Sequence, residues 1–171
     1  MSEPRYKILF LCTGNSARSI LAESIANREG NGQFAAYSAG SHPTGTVNPG
    51  VLRLLRSMGY PLDGLRSKSW DEFEVEGAPV FDFIVTVCDN AAGEVCPIWP
   101  GKPLRTHWGI PDPATVEGSP TDVSLAFAEA YRMLANRIRL FASLPIDKLD
   151  ALSLKREMER IGQTQDAPEP A

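Results

Sequence analysis

The chain is poor in the residues that mark whole classes of protein. It has three cysteines and two histidines in 171 residues, too few and too unevenly placed for a secreted disulfide framework. Each cysteine is therefore read for its chemistry. No apolar run approaches the roughly 20 residues that cross a bilayer, so no membrane-spanning segment is expected. Basic residues do not outnumber acidic ones, and the net charge of −4 offers no footing for nucleic acid. The N-terminal stretch MSEPRYK lacks the apolar centre of a signal peptide, so the expected location is the cytoplasm. No internal repeat or low-complexity segment precedes the C-terminal tail. What remains is ordinary: 43% hydrophobic and 22% charged residues, as in globular proteins generally. The length suits one domain with a sizeable core.

The stretch around which the rest is organised is Tyr6 to Glu23, YKILFLCTGNSARSILAE. Ile8 to Leu11 is a short apolar run of the kind buried on both faces of a parallel sheet. From Cys12 the chain turns small and polar, and helical spacing follows, with Ile20, Leu21, Ser24 and Ile25 on one face. A cysteine thus closes a strand, and Arg18 lies six residues on, in the first turn of a helix. Gly14 and Asn15 between them are the residue types that most easily take positive φ and turn backbone N–H groups inward. Thr13, Gly14, Asn15, Ser16, Ala17, Arg18 and Ser19 are therefore expected to form an oxyanion cradle. Its inward amides and helix N-terminus attract an anion, and Arg18 adds a bidentate bond. The same field is expected to lower the pKa of Cys12 and make it a nucleophile, with Ser19 donating to its thiolate. A lone cysteine here would read as a buried hydrophobe. The complete C-x5-R-S pattern, framed by strand and helix, reads as chemistry.

Further along, Gly30-Asn31-Gly32 stops the first helix and Phe34 to Ser38 is a short strand. Asn48 caps a helix that opens on Pro49, carries Val51, Leu52, Leu55 and Met58 inward, and ends at Gly59. Ser69 to Phe73 suggests a short helix. Phe81 to Val87 is a second apolar strand, ending at Cys88, and Arg105 to Trp108 a last one. From Thr121 the helical period is clear in Phe127, Tyr131, Leu134, Ile138 and Phe141. Alternating strands and helices predict a doubly wound parallel sheet with its site at the carboxyl ends of the strands. Cys12 and Cys88 both fall there. Leu144 to Gly162 reads as an amphipathic helix, and Gln163 to Ala171 as a flexible tail.

Cys88 and Cys96 enclose a second constellation, CDNAAGEVC. A spacing of eight does not suit a tetrahedral metal site, whose cysteines usually lie two to four apart; no metal is expected. Two unrelated half-buried thiols are one reading. A redox switch is the other: a disulfide needs Cα atoms about 4.4–6.8 Å apart, whereas eight residues of intact helix span about 12 Å. The segment would have to change shape.

These motifs make the chain similar to the arsenate reductases built on the low-molecular-weight tyrosine phosphatase fold. The resemblance rests on CTGNSARS at 12–19, SAG at 38–40, VNPG at 47–50, TVCDNAAGEVCP at 86–97 and HWGIPDPA at 107–114. It implies a three-layer α/β/α fold with a four-stranded parallel sheet over residues 1–143. A helical extension at 144–162 and a tail at 163–171 lie beyond it. It also implies a thiol relay. Cys12 attacks arsenate, held by Arg18 and the loop amides, while Asp112 protonates the leaving oxygen. Cys88 then attacks Cys12 to release arsenite, and Cys96 attacks Cys88. Thioredoxin, or glutaredoxin with glutathione, reduces the resulting disulfide, and no tightly bound cofactor is implied. A monomer is expected.

An aspartate between Pro111 and Pro113 is by default a turn residue; facing the cradle, it becomes a general acid. Phosphatases of this fold carry tyrosine after the Asp-Pro pair, where this chain has Ala114, which favours a small inorganic oxyanion. The alternatives are a low-molecular-weight phosphatase, which needs Cys12, Arg18 and Asp112 alone, and a non-catalytic oxyanion-binding redox sensor. Three departures stand out. Ala17 replaces a second loop cysteine found in many relatives. The paired cysteines are spaced one residue wider than usual. Some relatives bind potassium through an asparagine, a glutamate, a serine and an aspartate; Asn15, Glu23 and Ser38 match, but Lys68 stands in the aspartate's place, and its ammonium is expected to replace the ion. His107 beside Trp108 reads as packing, and His42 as solvated.

Overall fold

A computed structural model of the protein describes residues 6–94 and 99–164. Cys96 therefore lies outside the described residues, as does most of the expected tail. Four strands, β1 (Tyr6–Leu11), β2 (Phe34–Ala39), β3 (Phe83–Thr86) and β4 (Leu104–His107), form one parallel sheet in the order β2-β1-β3-β4. Between and after them come α1 (Arg18–Glu29), α2 (Pro49–Ser57), α3 (Asp89–Ala92), α4 (Pro120–Ala142) and α5 (Ala151–Gly162). The architecture is the expected α/β/α one with a four-stranded parallel sheet.

Period-two alternation assigns the two faces of the central strands. Ile8 and Phe10 of β1 and Phe83 and Val85 of β3 share a core with α1, α2, α4 and α5. Leu9, Leu11 and Ile84 face the other way, onto Phe73, Phe81, Trp99, Tyr37 and Trp70. On that side the helical layer is reduced to a single 3₁₀ turn, Trp70–Phe73, capped by Ser69. Phe81 itself lies before β3, which is shorter than the expected run from Phe81 to Val87 because the flanking residues bond to the ends of β1: Asp82 N–H to the Lys7 carbonyl and Val87 N–H to that of Leu11.

The C-terminal segment differs from the single helix expected over Leu144–Gly162. A 3₁₀ turn at Ile146–Lys148 comes first, and α5 starts only at Ala151. Pro145 has no N–H with which to continue α4, and the Asp150 carboxylate restarts a helix by accepting from Ser153 N–H at 2.7 Å. Leu154, Met158 and Ile161 of α5 are buried. At about 1.5–3 kcal/mol for each fully buried side chain, they supply on the order of 5 kcal/mol of docking before entropy is counted. Trp108, fully buried, donates its indole N–H to the Met158 carbonyl at 2.9 Å. No helix among the described residues is long and apolar enough to cross a membrane.

The register places the site. Leu11 of β1 pairs with Thr86 of β3, which pairs with His107 of β4, so three adjacent strands end level. Cys12 lies one residue beyond the first end and Cys88 two beyond the second. Being one strand apart, they meet.

Candidate active site

Cys12 to Ala17 leave β1 as a tight loop whose carbonyls are claimed from outside. His42 N–H donates to the Thr13 carbonyl at 2.9 Å, Thr44 N–H to that of Gly14 at 3.1 Å, and Asn48 N–H to that of Ser16 at 2.9 Å. In a planar trans peptide the following N–H points the opposite way. The amides of Gly14, Asn15 and Ala17 therefore face into the loop. Asn15 makes the turn possible: it holds φ 43° and is wholly buried. Its amide donates to Ser19 Oγ at 2.7 Å and Ser38 Oγ at 3.0 Å, and its oxygen accepts Lys68 N–H at 2.8 Å. Gly40 presses on the loop from below. A Cβ there would come within 2.6 Å of the Cys12 carbonyl and 2.4 Å of the Thr13 carbonyl.

Behind the loop, Lys68 lies among the oxygens of Ser38 and Glu23. Its buried ammonium donates to the Ser38 carbonyl at 2.9 Å and lies 3.8 Å from Glu23 Oε1, while Ser38 Oγ donates to the same carboxylate at 2.7 Å. Burial lowers the Lys68 pKa and raises that of Glu23, each tempered by the other's charge. With an ammonium among these oxygens, the residues do not fit a potassium ion. Among the described residues, no group of three or more His, Cys, Asp or Glu is arranged to hold a metal.

At the mouth of the loop, Arg18 extends to the Ile110 carbonyl at 3.2 Å and to Asp112 Oδ2 at 3.3 Å. Asp112 also accepts Ala114 N–H at 3.0 Å, so it is a turn residue and a cradle neighbour at once. The two thiols lie against the same loop. Cys12 Sγ lies 3.1 Å from Ser19 Oγ, and Cys88 Sγ accepts Thr13 N–H and Ala91 N–H, each at 3.4 Å. Their protons are not placed as expected. Donation to Cys88, then burial, push the Cys12 thiol well above its ordinary value. Cys88 is pulled down to about 5, chiefly by the hydrogen bond from Cys12 and then by the two amides. Of the two thiols, Cys88 is the more acidic. The sequence argument brought Cys88 to Cys12 but assigned the loop's field to Cys12 alone.

Other groups at the site were given no role by the sequence. His107, expected to be packing, accepts or donates at both ring nitrogens, 2.7 Å from Thr86 Oγ1 and 2.8 Å from Asp89 Oδ1. That ties the residue after Cys88 to the end of β4. A Cβ at Gly109 would come within 2.6 Å of that imidazole. Glu94 accepts from Thr13 Oγ1 at 2.8 Å and lies 3.7 Å from His42 Nδ1. His42, read as merely solvated, is exposed but faces a carboxylate. An acidic residue six positions after Cys88 was the one available hint.

Comparison with known proteins agrees with this geometry. The family profile for low molecular weight phosphotyrosine protein phosphatase matches residues 7–158. An arsenate reductase of Halalkalibacterium halodurans is 36% identical over 135 residues, 79% of this chain and 94% of that protein. The crystal structure of an arsenate reductase from Archaeoglobus fulgidus superposes with a TM-score of 0.62 at 27% identity, covering 80% of this chain and 99% of the other. The thioredoxin-dependent arsenate reductase of Corynebacterium glutamicum shares the fold, with a TM-score of 0.53 at 23% identity over 82% of this chain and 65% of that one.

Proposed function

We propose, from the premise that this chain belongs to the low molecular weight phosphotyrosine protein phosphatase family, that it is an arsenate reductase working through a thiol relay. The observation that carries this reading is the second thiol lying on the cradle, with Cys88 Sγ on the amide of Thr13 at 3.4 Å and accepting from the Cys12 thiol. Hydrolysis of a phosphate ester needs one thiol, an arginine and an acid; a redox reaction needs a second electron donor within bonding reach of the first.

As Cys12 attacks arsenic, its proton passes along the thiol–thiol hydrogen bond to Cys88, and Ser19 and the inward amides stabilise the sulfur. Arg18 turns onto the oxyanion, and Asp112, which Arg18 holds over the cradle, delivers a proton to the oxygen that leaves as water. Cys88 then attacks Cys12 Sγ, and the proton it had taken from Cys12 goes to an oxygen of the departing arsenite. The S–S bond forms, the S–As bond breaks with its electron pair kept by arsenic, and As(V) leaves as As(III) while two thiols become one disulfide. Thiolate exchange of this kind is governed by access and by thiol pKa, and the pKa of Cys88 is pulled down to about 5. Cys96 would next take Cys88 into a second disulfide, releasing Cys12. An external dithiol, thioredoxin or glutaredoxin with glutathione, closes the cycle. Lys68 supplies the positive charge behind the loop that a potassium ion supplies in some relatives.

The test is arsenate-dependent NADPH oxidation coupled through thioredoxin and its reductase, for wild type, Cys88→Ser and Cys96→Ser. Glutaredoxin with glutathione and p-nitrophenyl phosphate run in parallel. Turnover of arsenate that both serine variants abolish is expected. Hydrolysis of the ester by all three proteins, with no arsenate reduced, would make the chain a phosphatase.

A further inference from the structure

Between Cys88 and the loop that holds Cys12 stands one side chain for which the relay has no use. Glu94 sits at the end of the turn begun by Cys88: Gly93 N–H bonds to the Asp89 carbonyl and Glu94 N–H to that of Ala91, so the two residues move as one short unit. Its carboxylate accepts from Thr13 Oγ1 at 2.8 Å. Thr13 is the first residue after Cys12, and its own amide is the donor to Cys88 Sγ. One loop residue thus holds the turn at both ends, its hydroxyl at Glu94 and its amide at the thiol. The second carboxylate oxygen lies 3.7 Å from His42 Nδ1, and His42 N–H is bonded to the Thr13 carbonyl. The clasp therefore closes on the loop from two sides. A carboxylate beside a site for anions is costly to electrostatics unless it serves another end, and its bond to Thr13 ties the Cys88 turn to the loop.

We propose that Glu94 is the positioning residue of the second thiol, its bond to Thr13 holding the Cys88 turn against Cys12. Removing it slows disulfide formation between these two cysteines and leaves oxyanion binding in the cradle nearly unchanged. The proposal rests on the relay described above for its arsenate arm, but its geometry is independent of the substrate.

The experiment uses the full chain in a Cys96→Ser background, so that the Cys12–Cys88 disulfide accumulates. Its rate of formation is followed in a single turnover with arsenate and, separately, with diamide, a thiol oxidant that needs no oxyanion site. Inorganic phosphate affinity reports the cradle, and thermal melting reports the fold. Loss of a hydrogen bond to a charged group predicts about tenfold slower disulfide formation in Glu94→Ala with both reagents, and phosphate affinity within about threefold. Glu94→Gln keeps an acceptor for Thr13 and restores the rate to within about threefold. An alanine variant as fast as the parent, a glutamine variant as slow as alanine, or equal losses in phosphate binding and disulfide formation each overturn the proposal. A parent that forms the disulfide with diamide but not with arsenate refutes the arsenate reading alone. The clasp then stands on the diamide rates.

Discussion

Asn15 offers a measurable test of how the cradle is held. Its side chain makes three hydrogen bonds in a fully buried position with a left-handed backbone. Substitution does not strand all of its partners. Ser19 Oγ keeps Cys12 Sγ at 3.1 Å and Ser38 Oγ keeps Glu23 Oε1 at 2.7 Å. Only the Lys68 N–H is left without the oxygen it uses. One stranded buried donor costs about 1–3 kcal/mol and each net bond lost about 0.5–1.5 kcal/mol, so Asn15→Gly is expected to cost about 3 kcal/mol. Asn15→Ala loses the same bonds and adds about 1 kcal/mol of left-handed strain that glycine does not feel. At about 2–4 °C per kcal/mol for a chain of this size, the glycine variant should melt about 6–12 °C below wild type, with alanine a few degrees lower still. Differential scanning calorimetry on the fully reduced protein measures both, and phosphate affinity should fall in step. If alanine is as stable as glycine, the backbone strain is not there. If both lie within about 1 kcal/mol of wild type, the Asn15 network does not hold the loop.

Two further outcomes are expected. Because Cys88 is held down to about 5, the native protein binds fewer protons than the unfolded chain between that pH and the ordinary thiol range. This group's stabilisation is full above that range and is lost as pH falls through about 5. Ultraviolet thiolate absorbance in a Cys96→Ser background should accordingly show one thiolate at neutral pH, absent from the same titration range in Cys88→Ser; no thiolate at neutral pH would contradict the pairing of the two sulfurs. Lys68→Asp should turn the pocket of Glu23, Ser38 and Asn15 into a cation site, so that potassium at a hundredfold excess over its Kd adds about 2.7 kcal/mol and raises Tm by about 5–10 °C. Wild type should melt alike in potassium and sodium, and a potassium-dependent Tm in wild type would mean that the ammonium does not occupy the pocket.

Much was legible from residue order alone, because it depends on short-range rules. The apolar run Ile8 to Leu11, the turn chemistry of Gly14 and Asn15, and the cap at Asn48 are local, and each forms the element its sequence implies. Alternating strands and helices were enough to expect a parallel sheet, since the crossover helices impose that direction. The position of Cys12 at a strand end and of Arg18 in the first helical turn followed from the same local reading. Where locality failed, so did the expectation: Leu144 to Gly162 has one continuous apolar period, yet Pro145 and the Asp150 cap divide it.

Tertiary structure decided everything that depends on which strand ends lie side by side. The strand order β2-β1-β3-β4 sets Leu11 beside Thr86 and Thr86 beside His107, across the 74 residues of chain that separate Leu11 from Thr86. Pairing of the two thiols lowers the pKa of Cys88 and raises that of Cys12, where the loop field alone was expected to lower Cys12. The same adjacency brought Glu94 to Thr13, Asp89 to His107, and Lys68 to the carbonyl of Ser38. Sequence determined which groups can bear charge or give up electrons. Folding determined which of them share a proton, since hydrogen bonds and Coulomb interactions act over a few ångströms of space and take no account of distance along the chain.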